Sequence, residues 1–146
     1  MKDRHAKNPK QGRASVKHAA INPWTWQDQF GFSQAIEVSA AQRTLYCAGQ
    51  TSVDAEGKVL HAGDLGAQFR AALDNLETVL KKDGLTLQNI VRLNVYTTDV
   101  DGVVEHWNSV LGRVNEAGGH YASTLLGVAR LAFPDLLVEL EATAVE

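Results

Sequence analysis

Residues 64–98, DLGAQFRAALDNLETVLKKDGLTLQNIVRLNVYTT, decide the fold. Leu65, Phe69, Leu73, Leu76 and Leu80 recur at helical spacing, with Ala72 and Val79 beside them. That period builds one apolar stripe along an amphipathic helix of about five turns. Asp64 stands where a side-chain oxygen can cap the first turn. Lys81 and Lys82 suit the negative end of the helix dipole, and Gly84 is a natural residue just past the end. The period then changes to two. Val91, Leu93 and Val95 fall on one face of a strand over residues 90–98, and Arg92, Asn94 and Tyr96 on the other.

The pattern repeats downstream. Asp99 and Asp101 offer caps for a second helix, whose apolar face is Val103, Val104, Trp107, Val110, Leu111 and Val114. Gly118-Gly119 ends it. Residues 122–129 read as a strand bent at Gly127, and Phe133-Pro134-Asp135 as a turn. A last strand over residues 136–145 puts Leu136, Val138, Leu140, Ala142 and Ala144 on one face. Leu137, Glu139, Glu141 and Thr143 lie on the other. Upstream, residues 21–32 hold Trp24, Trp26, Phe30 and Phe32. Residues 33–38 and 43–50 read as two strands of a hairpin, and Gly49 lets the backbone bend or a ligand approach. The order β-β-α-β-α-β-β predicts an α+β fold, a small sheet with two helices on one face. The other face is half polar, so it meets water or another subunit.

The chain is expected to form one domain over residues 21–146, preceded by a basic, disordered leader over residues 1–20. The first 20 residues carry six Lys/Arg against Asp3 alone, while the rest carries eight basic and sixteen acidic side chains. An acidic body argues against a nucleic-acid partner, which needs clustered Lys/Arg. One cysteine, Cys47, excludes an intrachain disulfide and points to a reducing, cytoplasmic compartment. Its strand setting predicts an inert buried thiol. No apolar run is long enough for a membrane-spanning helix. The five histidines lack metal-ligand spacing, so no metal is expected, and no phosphate-binding loop, Gly-rich dinucleotide motif or nucleophile elbow occurs.

Four segments carry a family resemblance: GFSQAIEV, LYCAGQTSVDAEGKV, the helix–strand unit AQFRAALDNLETVLKKDGLTLQNIVRLNVYTTDV, and LLVELEATAV. Over about residues 30–145 the chain resembles the RidA/YjgF family of reactive-intermediate deaminases, some of whose members are named endoribonucleases. The resemblance implies a chorismate-mutase-like mixed sheet and a homotrimer with small-molecule clefts between subunits. It implies cofactor-free hydrolysis of the imine and enamine products of pyridoxal-dependent enzymes to keto acids and ammonia. By the same resemblance Glu139 is the catalytic residue that orients water. Phe32, Gly49 and Asn108 line the cleft, with Ser123 and Thr124 on the neighbouring strand. His120 is a candidate for the cleft mouth, and Glu141 for a structural or subunit contact.

Two positions depart from the pattern of active members: Phe32 stands where they usually have tyrosine, and Ser123 where they have arginine. Active members carry Ala-Arg-Ser/Thr where this chain has Ala122-Ser123-Thr124, and the following Val-Ala-Arg-Leu keeps the register. Ser123 thus replaces the arginine that grips a substrate carboxylate, and Arg130 does not substitute for it. A hydroxyl cannot supply the charged bidentate fork. Weak or absent activity on 2-imino acids is therefore expected, with a different imine, enamine or related nitrogen compound as substrate. A non-catalytic trimer binding a metabolite or partner is the alternative, and RNA cleavage a weaker one.

Overall fold

The computed structural model describes residues 17–146. Its main sheet has four strands in the order β3-β6-β4-β5. These are β3 (Thr44–Gln50), β4 (Ile90–Thr97), β5 (Ala122–Gly127) and β6 (Val138–Val145). β6 is antiparallel to both neighbours, while β4 and β5 are parallel. A parallel neighbour cannot be reached by a tight turn. Helix α2 (Val100–Glu116) makes that crossover, and helix α1 (Leu65–Lys82) connects β3 to β4 across the inserted β6. Two helices thus pack on a mixed sheet, α1 over β3 and β6, α2 against β4 and β5.

The helix periods bury the expected stripes. Phe69, Leu73, Leu76 and Leu80 of α1 and Val103, Val110, Leu111 and Val114 of α2 are fully buried. They meet Leu93, Val95, Val138 and Leu140 from the sheet. The caps form as well. Asp64 accepts from Ala67 N at 3.0 Å and Asp99 from Gly102 N at 3.0 Å. Gly84 has φ +76°, the left-handed conformation that ends a helix cheaply for glycine. In β4, a register shift between Ile90 and Arg92 alters the simple alternation. Ile90, not Val91, joins the main core cluster.

Two expectations are corrected at the N-terminal end. Residues 17–20, read as leader, belong to β1 (Lys17–Ile21); the preceding residues 1–16 lie outside the described residues. The expected hairpin between residues 33–38 and 43–50 does not form. β2 (Ala35–Ser39) pairs antiparallel with β1, whereas β3 pairs with β6. The β1–β2 ribbon joins the main sheet at its β5 edge, through a parallel bridge from Ser33 to Ala122 and a 2.8 Å bond from Ser33 N to Tyr121 O. Burial explains the outcome. β3 pairs along its length with apolar β6, while β1 and β2 are largely exposed and gain only each other.

Gln68, fully buried, ties α1 to the segment entering β6. Its amide donates to His61 O and Asp135 O, and its oxygen accepts from Leu137 N at 2.8 Å. All its groups are used, which offsets the cost of burying an amide. Tyr121 is the opposite case. It is fully buried, and its hydroxyl has no partner among the described residues. An unmade buried hydrogen bond costs about 1–3 kcal/mol, so Tyr121→Phe should leave the fold unchanged and raise stability by up to roughly that amount. An upward shift of the urea midpoint at constant slope is the expected reading; a large loss of stability would mean that the hydroxyl is satisfied after all.

Candidate functional site

Glu139 lies on the sheet face away from the helices, opposite Tyr96 of β4. Its side chain covers Gly49 of β3. A Cβ at position 49 would overlap Glu139 Oε1 and stand 2.6 Å from its Cδ. Glycine is therefore what lets the carboxylate lie flat on β3. A register shift between Cys47 and Gln50 marks a bulge at the same place. The next acid on that face is Glu141, whose Oε1 accepts from Asn94 Nδ2 and Tyr96 OH, each at 3.1 Å. Glu139 has no such side-chain partner among the described residues. Partial burial, and then the charge of Glu141, push the Glu139 carboxyl above its ordinary range.

Ser123 is on the other face. It is paired with Leu93, a core residue, and its hydroxyl donates to Leu93 O at 2.6 Å. With Leu125, Phe32 and Trp107 it lines a cavity of about 170 Å³, completed by Trp26, Phe30 and Val104. Rings meet edge to face there, Trp26 on Phe32 at 5.8 Å and Phe32 on Trp107 at 6.5 Å. Thr124 points the other way, accepting from Arg92 Nη2 at 2.9 Å on the helix-free side. Arg130 bonds to the carbonyls of Leu131 and Ala132.

The six candidates therefore fall into groups. Gly49 and Glu139 are in contact; Phe32 and Ser123 share the aromatic cavity; Thr124 shares the Glu139 face but bonds to Arg92. Asn108 is not in that cavity. Its amide donates to Gln29 O at 3.1 Å, and with Phe32, Asn115 and His120 it borders a neighbouring depression. Since Leu93 and Tyr96 are three residues apart on one regular strand, Ser123 and Glu139 project from opposite faces of the sheet.

The sequence reading missed what holds Phe32. Three side chains of α2 donate to consecutive carbonyls: Asn108 to Gln29, Trp107 Nε1 to Phe30 at 2.8 Å, and Asn115 to Gly31 at 2.8 Å. Gly31 has φ +73°, and a Cβ there would be 2.5 Å from Asn115 Oδ1. The spacing of Asn108 and Asn115, two helical turns, was the available signal. Cys47 is buried, and burial raises its thiol pKa, the opposite of nucleophile activation. No group of three or more His, Cys, Asp or Glu among the described residues could hold a metal ion. No helix among them is long and apolar enough to cross a membrane.

The protein-family model described as Endoribonuclease L-PSP matches residues 27–146. This chain belongs to that family, the RidA/YjgF family. Its relatives include 2-iminobutanoate/2-iminopropanoate deaminase of Mus musculus, 31% identical over 134 residues, covering 88% of this chain and 84% of that one. A RutC family protein of Pyrococcus abyssi is 29% identical over 77% of this chain and 84% of its own. Among solved structures, the Rid-family protein YyfB of Yersinia pestis is 36% identical, with a TM-score of 0.75, covering 88% of this chain and 98% of that one. The mixed sheet with two helices on one face is the RidA-family architecture.

Proposed function

We propose that this RidA-family protein hydrolyses an imine, enamine or related nitrogen metabolite in clefts between the subunits of a homotrimer, with Glu139 as the general base. The observation that carries the reading is Glu139 itself: a half-buried carboxylate laid over Gly49 and left without a side-chain partner among the described residues. Its neighbour Glu141 accepts from Asn94 and Tyr96 through Oε1, a tie within the sheet. Similarity to an iminobutanoate deaminase supports the reaction class.

In the proposed reaction Glu139 takes a proton from water as its oxygen bonds to the imine carbon, and the C=N π pair moves to nitrogen. Glu139 then returns that proton to the nitrogen. Glu139 next takes the hydroxyl proton of the carbinolamine and delivers it to the amine as the C=O bond forms and the C–N bond breaks, so imine plus water gives ketone or aldehyde plus ammonia. A single chain cannot present both groups to one molecule, because Ser123 and Glu139 project from opposite faces. A cleft formed by the β5 edge of one subunit and the β3–β6 face of the next accommodates both. Among the described residues the cavity beside Ser123 is lined by no cation, which argues against 2-imino acids as the preferred substrates.

The test is ammonia release from freshly generated 2-iminobutyrate and from imines lacking a carboxylate. Slow turnover of the former is expected; fast turnover would remove the claim that Ser123 disables the usual reaction. Glu139→Gln should lower turnover of any accepted imine by about 10²–10⁴-fold while binding persists. A base works only when ionised, so the rate falls as pH drops through its pKa. Because that pKa is raised, the fall should begin nearer neutrality than for an ordinary glutamate. An unchanged rate in Glu139→Gln would sink the assignment.

A further inference from the structure

We infer that the cavity beside Ser123 selects a neutral molecule carrying a single aromatic ring with a hydrogen-bond donor next to it, and rejects the corresponding carboxylate. This rests on reading that cavity as the seat of the substrate, and it names the substrate class: benzylic imines, or their neutral amide and amine analogues.

Three observations converge. The first is size and lining. The volume is about 170 Å³, and an apolar cavity of roughly 150 Å³ holds one benzene ring. The walls are Trp26, Phe30, Phe32 and Trp107, with Val104 and Leu125 beside them. Trp26 and Trp107 meet Phe32 edge to face and Phe30 stacks on it, arrangements that a further ring can extend. The second is polarity. Ser123 is the one hydroxyl of the lining among the described residues, and its proton is committed to Leu93 O at 2.6 Å. Toward a ligand it offers lone pairs, so it accepts from an N–H or O–H and gives nothing to an anion. The third is the position of the cations. Arg92 is engaged with Thr124 across the sheet, and Arg130 with backbone carbonyls further along the chain. A carboxylate entering the cavity would lose water and meet no cation among the described lining residues, whereas a neutral amide loses less and gains the Ser123 oxygen.

Benzamide and benzoate are nearly isosteric and differ in the feature at issue. Titration of the full-length protein, followed by tryptophan fluorescence and ligand-observed NMR, should show benzamide binding with a Kd of about 1 mM, as expected for so small a ligand. Benzoate should bind at least tenfold more weakly. Ser123→Ala should weaken benzamide about three- to tenfold, the scale of one hydrogen bond. Val104→Trp fills the cavity from a half-exposed helix position, so it should abolish binding without disturbing the core. Equal or tighter binding of benzoate overturns the inference. So does the absence of benzamide binding, or binding indifferent to Val104→Trp. Benzamide binding without turnover of any imine would leave this inference standing and remove the hydrolase reading; turnover of imines without benzamide binding would do the reverse.

Discussion

Gly49→Ala is expected to lower turnover by about 10²-fold or more while the melting temperature stays within a few degrees of the parent. The added Cβ would overlap Glu139 Oε1, stand 2.6 Å from Cδ and 3.0 Å from Cγ. Those atoms are the far end of a flexible side chain, so the carboxylate swings aside and the strand stays where it is. The fold loses little, but the base moves by on the order of an ångström or more, and such a displacement costs about two powers of ten. The two effects separate by a double substitution. Adding Gly49→Ala to Glu139→Gln should change turnover hardly at all, because residues that act as a unit are not additive. Ammonia release and thermal denaturation of the four proteins provide the measurement. Full activity in Gly49→Ala would mean that Glu139 works from another position, or does not work at all.

The elements that were legible are those whose burial is periodic. α1, α2 and β6 each bury one regular stripe, β4 does so from Arg92 onward, and the alternation in β6 separates Leu140 and Ala142 from Glu139 and Glu141 as expected. β1 was not legible because it buries nothing regular: Lys17, Ala19, Ala20 and Ile21 are all exposed. Its segment reads as a polar leader until its partner β2 is known. The expected hairpin failed for a related reason. Strands close in sequence invite pairing, but Cys47 pairs with Ala142 and Leu45 with Ala144, about a hundred residues away. Local patterns carry no record of such distant registers. The tight connection at Ala40, with φ +60°, turns the chain out of the β1–β2 ribbon instead of closing a hairpin.

At the site, single residues were legible and their grouping was not. An acid in an apolar strand marks Glu139, and a glycine in a strand marks Gly49, but only the register shows that one exists to make room for the other. The crowded aromatics of residues 21–32 were visible as composition. What turns Trp26, Phe30 and Phe32 into a cavity is Trp107 and two asparagines of α2 gripping backbone carbonyls. A carbonyl has no sequence signature, so bonds of this kind escape any reading by residue type.

Ser123→Arg is expected to exchange one ligand class for another. A guanidinium at this wall supplies the bidentate fork that the native hydroxyl lacks. Desolvated charge pairs of this kind are worth about 2–5 kcal/mol. The cavity is open on one side, so a gain at the lower end is expected, roughly 10- to 100-fold in affinity for a 2-keto acid such as 2-oxobutyrate. Turnover of 2-iminobutyrate should rise with it if Glu139 is competent. The same substitution removes the bond from Ser123 to Leu93 O and sets a cation against Phe32, Trp107 and Leu125. Benzamide affinity should therefore fall, and the melting temperature should drop by a few degrees. Ser123→Lys is the control for charge alone: it supplies a cation without the planar fork and should gain less. If neither variant improves 2-oxobutyrate binding, the wall at Ser123 does not face the ligand's carboxylate, and the expectation of weak imino-acid turnover loses its ground.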